Sequence, residues 1–138
     1  MALRDEDKHM DAELEAASAE GLLDLAALNE IRSLDPDGSA GFFAKIVETF
    51  ILNTEQLFQN TNWADPAMDP DSIRKAAHYL KSSAGSIGAR RLSALCGNLE
   101  TGIRMGETTD VERRFAQIRS VYLETREALQ SALAGGES

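Results

Sequence analysis

The chain has 138 residues, 43% hydrophobic and 27% charged, and 14 basic against 23 acidic side chains leave a net charge of −9. That length suits one domain with a single core plus a tail, and the acidic balance argues against nucleic-acid or anionic-membrane binding. No apolar run approaches the ~20 residues that cross a bilayer and no N-terminal signal pattern is present, so a soluble, cytoplasmic protein is expected. The single cysteine, Cys96, has no partner for an internal disulfide and falls on an apolar helical stripe, where it reads as a small buried hydrophobe.

Residues 1–20 carry seven acids against Arg4 and Lys8 and few large apolar side chains, the pattern of a solvated acidic tail with some helix through Ala12–Ala19. His9-Met10 has the look of a junction, with native sequence starting at Met10, and His9 has no organised surroundings. A domain is expected over 21–135. From Gly21, Leu22, Leu25, Leu28, Ile31 and Leu34 predict a short helix with a drifting apolar stripe, stopped by the turn residues Asp35-Pro36-Asp37-Gly38. Ser39 can cap a second helix, running to about Gln59, in which Phe43, Val47, Phe50, Thr54 and Leu57 recur at 4-3-4-3 spacing. Phe42, Ile46, Ile51 and Phe58 widen its apolar surface, either for contact with the first helix or as an exposed docking patch. Asn60 to Met68 reads as a loop whose Trp63 packs over the bundle end.

Asp69 as N-cap and Pro70 at the first helical position open a third helix, and Gly88 suits a left-handed cap at its end. A fourth helix, Ala89 to Met105, turns Leu92, Leu95/Cys96, Leu99 and Ile103 inward and ends at Gly106. Thr109-Asp110-Val111-Glu112 forms a capping box for the last helix. There Val111, Phe115, Ile118, Tyr122, Thr125, Leu129 and Leu133 face in, and Gly135-Gly136 is expected to stop it. No alternating β pattern or internal repeat is visible. The expected fold is all-α: an antiparallel up-and-down four-helix bundle with an additional short N-terminal helix on it or over one end.

The third helix holds the chemistry. Ile73, Ala77, Leu80, Ala84 and Ile87 form its core stripe, while Arg74, His78, Lys81 and Gly85 share a neighbouring face. Lys81 lies one turn beyond His78, and Ser82 and Gly85 leave little bulk beside the imidazole. Between Ile73 and Arg104 six basic residues face one acid, Glu100, so this segment is +5 in a chain of −9. A basic island centred on a histidine suggests phosphoryl chemistry, for which imidazole, neutral and nucleophilic near pH 7, is a good acceptor.

The run His78-Tyr79-Leu80-Lys81-Ser82-Ser83-Ala84-Gly85-Ser86-Ile87-Gly88-Ala89 resembles the H-x-L-K-G-S-S-x-x-x-G-A signature of histidine-containing phosphotransfer (HPt) domains. Ser82 stands where that family more often has Gly and Ala84 where it often has Ser, both still small. The similarity extends through Leu92, Leu95-Cys96, Leu99-Glu100 and Arg104, covers the opening Leu23-Asp24-Leu25-Ala26-Ala27-Leu28, and spans roughly Gly21 to Leu133. The resemblance implies that His78 is the phosphorylated residue and Lys81 its supporting cation, with Arg74 or Arg104 able to add charge. It places Glu100 where the family often has Gln or Glu, able to accept a hydrogen bond from the far imidazole nitrogen. The other reading of Glu100 is a surface carboxylate paired with Arg104 at i+4. Arg74, Ser82, Gly85 and Arg104 are candidates for contact with a partner.

The sequence has neither G-x-x-x-x-G-K-[ST] nor a G-x-G-x-x-G after a strand, so self-phosphorylation from ATP is not expected. The resemblance implies a carrier in a multistep phosphorelay, taking phosphate from one receiver domain and passing it to another. The partners would be receiver domains of response regulators or of a hybrid histidine kinase. No cofactor or metal site is expected, Mg²⁺ being supplied by the receiver, and the family is commonly monomeric. Two neighbouring readings are the phosphoacceptor domain of a chemotaxis-type kinase and a bundle that binds a receiver without taking phosphate. A metal-dependent enzyme would need convergent ligands that two histidines in unrelated contexts and one buried cysteine do not make.

Overall fold

The computed structural model describes residues 21–38, 41–63 and 69–137. These residues form five helices and no strand: α1 (Leu25–Ser33), α2 (Phe42–Asn60), α3 (Pro70–Ser86), α4 (Arg90–Arg104) and α5 (Val111–Glu137). The acidic tail, His9, Ser39 and most of the loop before Asp69 lie outside the described residues.

α2, α3, α4 and α5 close into a ring in which each touches its sequence neighbour and α5 returns to α2. All run antiparallel to their neighbours. Glu100 on α4 meets His78 on α3 while Ser93 meets Lys81, and on the far side Phe58 meets Phe115 while Glu55 meets Arg126. Core side chains follow the expected stripes: Val47, Phe50, Ile73, Ala77, Leu80, Ala84, Leu92, Cys96, Leu99, Val111, Ile118, Tyr122 and Leu129 are all buried. Burying each large aliphatic side chain here stabilises the fold by about 1.5–3 kcal/mol. Burial pushes the Cys96 thiol up to about 12, so it stays protonated.

The ends of α3 and α4 are set by local chemistry. Asp69 accepts from the Ser72 amide at 3.1 Å and Pro70 follows as the first helical residue. At the other end Ala89 N–H donates to Ala84 O and Gly88 N–H to Gly85 O, the paired bonds of a Schellman motif, with Gly88 at φ 82°. Glu107 and Gly106 repeat the motif on Gly102 and Ile103, with Gly106 at φ 86°. Gly88 is doubly constrained, because a Cβ there would sit 3.0 Å from the Asp24 carbonyl oxygen and 3.3 Å from Ala27 Cβ.

That close approach marks where α1 docks. Asp24 N–H donates to Gly88 O at 2.6 Å, and Arg32 donates to Ala132 O at 2.8 Å while lying over the Phe43 ring. α1 therefore packs over the end of the bundle that carries the α3–α4 turn. It begins at Leu25, not Gly21, because the Asp24 carboxylate accepts from the Ala27 amide and caps it. Leu25 and Leu34, expected on its apolar stripe, are 46% and 70% exposed, since this nine-residue helix buries only Leu28 fully.

Three other termini differ from expectation. The α2 cap position is held by Gly41 at φ 64°, and Asp35 supplies the carboxylate that accepts from the Phe42 amide. α5 runs on to Glu137 through Gly135-Gly136, because glycine lowers helix propensity without forcing a turn, and neither has positive φ. At its start Asp110, one residue after Thr109, accepts from the Arg114 amide, while its carboxylate pairs with the Arg113 and Arg114 guanidiniums. The widened face of α2 follows neither reading throughout, because at Phe58 it is covered by the loop and α5 and not by α1. Phe58 packs edge-on to Trp63, Phe115 and Tyr122, with Trp63 stacked on Phe115 at 4.4 Å, while Phe42 stays 38% exposed.

Candidate functional site: a histidine held by a buried carboxylate

His78 lies midway along α3, on the face next to the core stripe and toward α4. Its imidazole is 58% exposed, yet Nδ1 lies 2.8 Å from Oε2 of Glu100, a side chain only 2% exposed. Glu100 directly follows the buried Leu99 on α4, at the edge of the inward stripe, which turns it into the α3–α4 seam. It is not the surface carboxylate that one sequence reading allowed.

A buried carboxylate needs partners for its charge. Lys81 Nζ donates to Oε1 at 2.8 Å, and Arg104 Nη2 donates to Oε2 at 3.0 Å, sharing that oxygen with His78. The Lys81 hydrogen bond, then that from His78, holds the Glu100 carboxyl below its ordinary range against the opposing effect of burial. Glu100 is thus ionised near neutral pH and can only accept hydrogen bonds. Nδ1 of His78 must then carry the proton and donate it, so in the neutral ring the lone pair resides on Nε2. The ring is fixed in one tautomer with its nucleophilic nitrogen facing away from Glu100.

His78, Lys81, Glu100 and Arg104 therefore converge. Arg74 does not join them. Asp71, one turn back, takes its guanidinium through Nε at 3.1 Å and Nη2 at 2.7 Å, and also draws Lys75. Ser82 and Gly85 are exposed along the same helix, beyond the imidazole. A Cβ at Gly85 would make only ordinary contact, 3.5 Å, with Ser93 Oγ. Two α4 residues not singled out in the sequence also reach this seam. Ser93 Oγ donates to the Lys81 carbonyl at 2.9 Å, and Gly97 faces the Lys81 stem. Their signal was the spacing Ser93-Gly97-Glu100, one strip of α4 beside its core stripe.

Among the described residues no group of three or more His, Cys, Asp and Glu side chains could hold a metal ion, and no helix is long and apolar enough to cross a membrane.

A model of the Hpt domain family matches residues 45–134, more than half of the chain. The phosphorelay intermediate protein YPD1 of Candida albicans is 29% identical over 80 residues, 58% of this chain and 43% of that protein. Histidine-containing phosphotransfer protein 2 of Arabidopsis thaliana is 28% identical over 105 residues, 67% of each chain. The crystal structure of histidine-containing phosphotransfer protein B from Pseudomonas aeruginosa superposes with a TM-score of 0.71 at 23% identity. That match covers 80% of this chain and 93% of that one, and the likeness is one of fold. The bundle, the signature around His78 and the extent of the family match agree, and the chain belongs to the Hpt domain family.

Proposed function

We propose that the protein is a phosphocarrier in a multistep phosphorelay: Nε2 of His78 takes a phosphoryl group from a receiver-domain aspartate and passes it to the aspartate of a second receiver. One observation carries this reading, an exposed imidazole whose Nδ1 is tied to a buried, ionised carboxylate.

The Nε2 lone pair attacks phosphorus and forms the P–N bond as the acyl-phosphate P–O bond breaks, its electrons leaving on the donor's carboxylate. The ring then carries a positive charge with its proton still on Nδ1, where Glu100 stabilises it. Onward transfer reverses these events on a second aspartate, and the ring returns to the same neutral tautomer. Transfer of this kind needs in-line placement and neutralised phosphoryl oxygens more than covalent assistance. Lys81 uses one donor on Glu100 and has two more for a phosphoryl group on the neighbouring turn. Mg²⁺ would come with the receiver. A monomeric, cytoplasmic carrier without nucleic-acid or membrane partners fits the net charge of −9.

The test is transfer of labelled phosphate from a phosphorylated receiver to wild type and to His78→Gln. Acid-labile, alkali-stable label on wild type and none on the variant is expected. Label on neither, with receiver binding intact in both, would replace the carrier by a regulator that only binds.

A further inference from the structure

Helix α4 holds Lys81 at three heights. Ser93 Oγ bonds its backbone carbonyl at 2.9 Å, Glu100 takes its ammonium at 2.8 Å, and between them the aliphatic stem crosses Gly97. A Cβ built on Gly97 would lie 3.2 Å from Lys81 Cδ and 3.9 Å from Cγ. The first distance is closer than side chains normally tolerate. The stem cannot easily step aside, because its backbone end is fixed in α3 and its ammonium is fixed on Glu100. Gly97 is also helical and lacks the positive φ that would otherwise account for a glycine. In mid-helix it lowers stability relative to alanine, so here the missing side chain serves the packing of Lys81.

We propose that Gly97 is a positioning residue: the gap it leaves lets Lys81 lie flat on α4 and reach Glu100, so that the carboxylate holding His78 is neutralised from its other oxygen. The effect on transfer rests on the carrier reading above; the effect on Glu100 does not. Lys81 is the largest influence lowering the Glu100 carboxyl pKa, with His78 and Arg104 as its other charged or titratable neighbours, so displacing the lysine raises that pKa.

The test is a double-mutant cycle of Gly97→Ala and Lys81→Met on the full chain. It reads the Glu100 midpoint by carboxyl ¹³C NMR, the thermal midpoint, and transfer from a phosphorylated receiver. Gly97→Ala gains helix propensity but crowds the Lys81 stem, so the thermal midpoint serves to confirm that the variant folds. It should raise the Glu100 midpoint and slow transfer by about two- to fivefold, the scale of a partly exposed ion pair. In the Lys81→Met background it should change neither Glu100 nor transfer. An unmoved Glu100 midpoint in Gly97→Ala, or the same shift without the lysine, would overturn the proposal. Should wild type accept no phosphate, the carrier reading falls, while the Glu100 midpoint still decides the role of Gly97.

Discussion

Among the described residues, two carboxylates take short hydrogen bonds from a neighbouring antiparallel helix, one on each side of the bundle. Glu55 on α2 accepts from the Tyr122 hydroxyl at 2.8 Å and from Arg126 at 2.7 Å, joining α2 to α5. Glu100 on α4 accepts from His78, Lys81 and Arg104, joining α4 to α3. The exposure is reversed. Glu55 is 41% exposed and clasps a Tyr122 that is only 2% exposed, whereas Glu100 is 2% exposed and reaches out to a largely exposed imidazole. The partners of Glu55 hold one charge state: burial and Glu55 push the Tyr122 hydroxyl well above its usual range, and Arg126 stays cationic. Glu100 instead holds a largely exposed imidazole by Nδ1 and leaves Nε2 free to act as a nucleophile. Similar groups make a clamp in one place and, on the function proposed above, a phosphoryl acceptor in the other, and the difference is which member of the pair meets solvent.

Removing Glu100 should break this contrast most strongly. Glu100→Ala frees the ring to turn and to change tautomer, and transfer to His78 should slow about a hundredfold, the low end for losing one preorganised charge-stabilising contact. Glu100→Gln, which still accepts from Nδ1–H but lacks the charge, should lose less. Both are read from initial rates with a phosphorylated receiver. On the other side Tyr122→Phe should cost about 0.5–1.5 kcal/mol of unfolding free energy in urea, the value of one hydrogen bond, and leave transfer unchanged.

The smallest effect is a dependence on pH. Both carboxyls are held below the ordinary value of 4.5, Glu55 first by the Tyr122 hydrogen bond and Glu100 first by that of Lys81. A group whose folded pKa is depressed contributes stability that is present above its unfolded value and is lost as pH falls through its folded value. The thermal midpoint should therefore drop below about pH 4.5. Glu55→Gln, lacking one of the two carboxylates, should show a shallower drop.

Much of this arrangement was legible in the sequence because it is written in local terms. Asp69-Pro70 and Gly88 delimit α3 through hydrogen bonds within a few residues, and the 4-3 spacing from Ile73 to Ile87 sets which face is core. Helical geometry then puts His78 and Lys81 on one face, and the resemblance of the run from His78 to Ala89 to the family signature supplied their roles. What was not legible depends on more than one helix. Whether Glu100 is buried with three donors or sits on the surface with Arg104 depends on how closely α3 approaches α4, which no single stripe encodes. Gly97 and Ser93 matter only through contacts on Lys81. Arg74 shared a wheel face with His78, and the sequence did contain its competitor, Asp71 at i−3. Gly135-Gly136 misled because glycine permits a helix end without requiring one.

The most direct test of the central claim, that Glu100 fixes Nδ1 and leaves Nε2 to react, is ¹⁵N NMR of the labelled His78 ring before and after phosphorylation. Before it, Nδ1 should carry the proton; afterwards ³¹P coupling should fall on Nε2, with Nδ1 still protonated and bonded to Glu100. Phosphorus found on Nδ1, or a ring that exchanges freely between tautomers in the unphosphorylated protein, would contradict the account.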